Sequence, residues 1–74
     1  MSILPILKAG IVLRKLSRVG FKIHKIKGSH YILRNLLTGR TTSVPLHGGK
    51  DIGRNLLIEI LKQAGITIKE FLKY

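Results

Sequence analysis

Lys25-Ile26-Lys27-Gly28-Ser29-His30-Tyr31-Ile32-Leu33-Arg34 is the stretch of this sequence best furnished for chemistry. His30 carries an imidazole, the side chain whose ordinary titration range suits proton transfer near neutral pH. Cations flank it in sequence at Lys25, Lys27 and Arg34. A titratable group among cations suits a phosphodiester better than an acyl or sugar substrate. RNA brings its own nucleophile, the 2′-hydroxyl. A ribonuclease therefore has to remove that proton, hold the charge on the phosphoryl oxygens and protonate the leaving 5′-oxygen. His30 can act as base or acid, and Lys27, with Lys25 and Arg34, can supply positive charge at the phosphate. Gly28 and Ser29 bring backbone and a hydroxyl close to a substrate. His47, between Pro45-Leu46 and two glycines, is the candidate for a second RNA contact or proton-transfer group.

The three acids, Asp51, Glu59 and Glu70, are scattered and form no carboxylate cluster, so no metal or other cofactor is expected. Cysteine is absent, which removes disulfides, thiolate zinc sites and a cysteine nucleophile. Ser29 lacks the carboxylate-oriented histidine that a hydrolase triad requires.

Charge sets the class of partner. Fourteen Lys and Arg face three acids, for a net charge of +11, and no acid precedes Asp51. Such a field attracts polyanions or an acidic protein. A hydrophobic content of 45% separates the chain from disordered basic tails. The start lacks the basic region of a signal peptide, and Pro5, Lys8 and Arg14-Lys15 interrupt its longest apolar run. The expectation is a soluble, cytoplasmic protein of one domain, residues 1–74, with no membrane partner.

The elements that position these residues are read from periodicity. Residues 1–9, broken by Pro5, form a lead-in. Val12, Leu16 and Val19, with Leu13 beside them, predict an amphipathic helix over 10–19 that Gly20 ends. Residues 21–27 alternate as a strand, with Phe21, Ile23 and Lys25 on one side and Lys22, His24 and Ile26 on the other. A second strand spans 29–35 and a third 41–46, joined by a turn at Leu37-Thr38-Gly39-Arg40. Pro45 belongs at an edge or a strand end. A second helix is predicted from Asp51 to Ala64, with Ile52, Leu56, Ile60 and Ala64 in its stripe, Leu57 and Leu61 widening it, Asp51 at its positive end and Gly65 after it. Thr67-Ile68-Lys69-Glu70 fits a capping box that opens a short last helix burying Phe71. The order α-β-β-β-α, with a three-stranded antiparallel sheet, gives an α+β fold shared with double-stranded-RNA-binding domains.

Three blocks also resemble the HicA family of toxin–antitoxin modules. They are Gly20-Phe21 followed by Lys27-Gly28-Ser29-His30; Val44-Pro45-Leu46-His47-Gly48; and Leu61-Lys62-Gln63-Ala64-Gly65-Ile66 leading to Glu70-Phe71. The resemblance runs from about Pro5 to Leu72. It implies a small messenger-RNA-cleaving toxin of double-stranded-RNA-binding-like fold, held inactive in a hetero-oligomer by a HicB antitoxin, with His30 as the catalytic residue. The chain departs from the family where Lys8-Ala9-Gly10-Ile11 replaces Ser-Gly-Lys-Glu, and where Asn55-Leu56-Leu57-Ile58 replaces Gly-Thr-Leu-Arg. Two other readings fit the same residues. One is an RNA-binding module that cuts nothing; the other is a membrane-active peptide drawn from residues 1–19.

Overall fold

A computed structural model of the chain describes residues 6–46 and 51–74. The element order is β1 (Leu7–Lys8), α1 (Ala9–Val19), β2 (Phe21–Lys27), β3 (His30–Asn35), β4 (Thr41–Pro45), β5 (Asp51–Ile52), α2 (Arg54–Ala64) and α3 (Ile68–Lys73). β2, β3 and β4 form an antiparallel meander with β3 in the centre, and β1 and β5 pair as a separate ribbon. The α-β-β-β-α order and its closing short helix match the sequence reading, with the ribbon added.

One apolar cluster holds these parts together. Val12 and Leu16 from α1, Phe21, Leu33 and Val44 from the sheet, Leu57, Ile60 and Leu61 from α2, and Phe71 from α3 are all buried in it. Each such side chain contributes about 1.5–3 kcal/mol through removal from water. Both long helices therefore cover one face of the sheet, the inner face, which carries Leu33, Asn35, Thr42 and Val44. Thr42 pins the α2 side of this layer: its buried hydroxyl donates to the Ile60 carbonyl at 2.9 Å. α1 thus spends its apolar stripe inside the fold, as a membrane-active peptide would not.

Helix ends follow the local chemistry. Gly20 adopts φ 121° and its N–H donates to the carbonyls of Leu16 and Ser17, closing α1. At Thr67 the hydroxyl accepts from Glu70 N while the Glu70 carboxylate accepts from Thr67 N, the reciprocal capping box expected there.

The start of α2 corrects the sequence reading. Asp51 and Ile52 are strand, not helix: Ile52 pairs with Leu7, and Asp51 with Lys8. The Asp51 carboxylate meets Lys8 Nζ at 3.3 Å, so it answers a cation on the neighbouring strand rather than a helix end. Ile52 is buried, but through β5. Leu57, Ile60, Leu61 and Ala64 of the expected stripe are buried, while Leu56 stays 40% exposed beside them. Strand bounds move by one residue: β3 begins at His30 and β4 ends at Pro45. Pro45 lies both on an edge strand and at its end, where its missing N–H costs the ladder nothing.

Candidate nucleic-acid interface

The β2–β3 hairpin places His30. Lys27 and His30 are cross-strand partners closing a two-residue turn, Gly28-Ser29. Gly28 has φ 60°, while no residue other than glycine among those described has positive φ. Positive then negative φ is the II′ pattern, which matches the twist of the flanking strands and favours glycine first. On the other side His30 pairs with Pro45 of β4. The Ser29 carbonyl accepts from Leu46 N at 2.7 Å, drawing the end of β4 against the turn. His30 is exposed and Ser29 is half-buried.

A bulge decides which way the lysines of β2 face. Ile23 pairs with Leu33 and Lys25 with Ile32, so His24 is an extra residue between them. Alternation has period two, and one inserted residue reverses every side chain beyond it. Phe21 and Ile23 face inward with Leu33 and Asn35. Lys25, expected on that same side, instead joins Lys27 and Lys22 on the outer face. Their cross-strand partners there are Ile32, His30 and Arg34 respectively. From β4 the outer face receives Thr41, Ser43 and Pro45. It is an open surface bearing Lys22, Lys25, Lys27, Arg34 and His30.

The expected site residues separate accordingly. Lys27, Gly28, Ser29 and His30 meet at one end of the sheet, with Lys25 one row in. Arg34 shares the face but pairs with Lys22 and Thr41 at the opposite end of β3. Four residues of strand, about 13 Å at the usual rise, separate its row from His30. His47 lies outside the described residues. Lys22 joins the face beside Arg34, a place that follows only from the register, and His24 breaks the regular alternation expected of it.

Among the described residues, the acids lie on other elements than these cations. β2, β3, β4 and α1 contain no acid. Asp51 is engaged with Lys8, Glu59 lies 4.0 Å from Lys62 on α2, and Glu70 serves the cap of α3. Among the described residues no three His, Cys, Asp or Glu side chains gather as metal ligands, and no helix is long and apolar enough to cross a membrane.

The departures noted in sequence have structural places. Ile58, standing where an arginine was expected, is half-buried and packs against the core. Gly10, in the first turn of α1, has nothing within 4 Å of where a Cβ would project.

Residues 11–66 match the family model described as the HicA toxin of bacterial toxin–antitoxin systems. The matched span takes in nearly all of α1, the three-stranded sheet and α2. No curated protein matches the chain.

Proposed function

Because the chain belongs to the HicA toxin family of bacterial toxin–antitoxin systems, we propose that it is an endoribonuclease that cleaves messenger RNA by proton transfer through His30. The observation that carries this reading is the register of the β2–β3 hairpin. It sets Lys27 directly across from His30 and Lys25 one row further along the same face, to which the bulge at His24 adds Lys22 beside Arg34.

In the proposed step, a proton leaves the substrate's 2′-hydroxyl, and the freed oxygen attacks the adjacent phosphorus. The bond from phosphorus to the 5′-oxygen breaks, and that oxygen takes up a proton. His30 performs one of the two transfers; His47 or solvent performs the other. Lys27, supported by Lys25, offsets charge building on the phosphoryl oxygens. Gly28 and Ser29 form the tight turn that lets a phosphate approach, and Arg34 holds RNA at the far end of the face. The sheet offers no carboxylate to carry a divalent ion, which supports a metal-independent route. An antitoxin of HicB type, with acids placed to meet the cations, would silence the toxin by covering the outer face.

The test is RNA cleavage in excess EDTA by the parent and by His30→Ala, with the variant first shown to fold and to bind RNA. Cleavage by the parent alone supports the reading. Binding by both with cleavage by neither supports the alternative of a non-catalytic RNA-binding module. Equal cleavage by both removes His30 from the mechanism.

A further inference from the structure

Three rows bearing cations cross the outer face, and they are evenly spaced. Lys27 stands opposite His30, Lys25 opposite Ile32, and Lys22 opposite Arg34. On β3 the partners advance two residues per row, about 6.6 Å at strand rise. On β2 the last step takes three residues, because His24 is bulged out. Were His24 paired in the ladder, Lys22 would face one way and Lys25 and Lys27 the other.

That spacing has a chemical counterpart. A nucleic-acid backbone repeats every six bonds and a polypeptide every three, so an extended nucleotide reaches about 7 Å by the same chain geometry. The far row also borders a shallow depression of about 260 Å³, lined by Lys22, Ile23, His24, Arg34 and Leu36. Leu36 is 71% exposed there, which puts aliphatic surface beside the cations. A duplex hides the faces of its bases, whereas a single strand can lay them on such surface.

We propose that the outer face binds one extended single strand of RNA along β2 and β3. Three successive phosphates rest on the Lys27, Lys25 and Lys22–Arg34 rows, and a base rests against Leu36. The row at His30 rests on the nuclease reading; the far row is a second subsite two nucleotides from the bond that is cut.

An NMR titration with thymidine oligodeoxynucleotides of two to five nucleotides, at low salt, tests the path. Affinity should rise about two- to fivefold with each internucleotide phosphate up to the third, the range of an exposed charge pair, and then level off. Amide shifts should spread from Lys27 and His30 to His24 and Leu36 as the strand lengthens. Combining Lys22→Gln with Arg34→Gln should bring the tetranucleotide down to the trinucleotide's affinity, with the spectrum otherwise that of a folded chain. The proposal is overturned by shifts confined to the His30 row at every length, by shifts that move to α1, by a double variant that binds like the parent, or by tighter binding of a DNA duplex. Deoxy strands have no 2′-hydroxyl to react, so the outcome is independent of catalysis. Binding in this pattern by a chain that cuts no RNA would keep the path and remove the nuclease.

Discussion

Lys27 and His30 stand across from each other at the mouth of a two-residue turn, held there by the positive φ of Gly28. The pairing depends on backbone conformation more than on side-chain packing. Nothing lies within 4 Å of where a Cβ on Gly28 would sit.

Gly28→Ala should therefore destabilise through backbone strain alone, by about 1–3 kcal/mol. A urea titration measures the loss. A synthetic chain with D-alanine at position 28 should recover it, because the D residue favours positive φ. Under the nuclease reading, cleavage should fall and recover with stability.

Deleting His24 should restore regular alternation in β2. One of its two halves must then turn over: either Phe21 leaves the core, or Lys25 and Lys27 turn toward the helices. The expected result is a weaker RNA affinity with a shallower salt dependence, by about 0.7 in the log–log slope for each phosphate that is no longer neutralised. His24→Ala keeps the extra residue and should keep the slope. Filter binding across a salt series distinguishes them.

Thr42→Val keeps the shape of a buried β-branched side chain and removes the hydroxyl that donates to Ile60 O at 2.9 Å. The loss should be about 0.5–1.5 kcal/mol, the net worth of one hydrogen bond. Thermal unfolding followed by circular dichroism measures it. The outer face is unaltered, so RNA affinity should be unchanged.

Phe71→Ala tests whether the span matched by the family is enough to fold. Phe71 is fully buried and lies beyond residue 66. Lys15 Nζ stands 5.7 Å from the centre of its ring, linking α3 to α1. Truncation should cost about 3–5 kcal/mol. A domain this small has little stability to lose, so proton NMR should show broad unfolding.

Features written in local sequence are legible without the structure. Gly20 ends α1, Thr67 and Glu70 cap α3, and Gly28 marks the turn, because each depends on residues a few positions apart. Periodicity starts the second helix too early because Ile52 obeys helical spacing with Leu56 and Ile60, and Asp51 before it suits a helix's positive end. What diverts them is pairing with Lys8 and Leu7, more than forty residues upstream, and no local pattern carries that. The bulge is hidden for a related reason. Phe21, Ile23 and Lys25 alternate smoothly, and only β3 reveals that His24 has no opposite number. The histidine, its turn and its nearest lysine can thus be read from the chain. Which lysines share its face, and how far off Arg34 stands, cannot.

The two edges of the meander have a further bearing, on whether copies of this chain stay apart. An exposed strand edge is a template on which another strand can add, and a row of them is the route to aggregation. Here β2 presents a bulge and three lysines, while β4 ends in a proline that has no N–H to offer. Lysine-bearing β2 edges of two copies repel one another, and the bulge spoils the straight register that stacking would need. Side chains suited to holding a polyanion therefore also keep a small, half-open sheet from growing. Replacing the lysines with neutral residues would trade weaker RNA binding for a stickier protein.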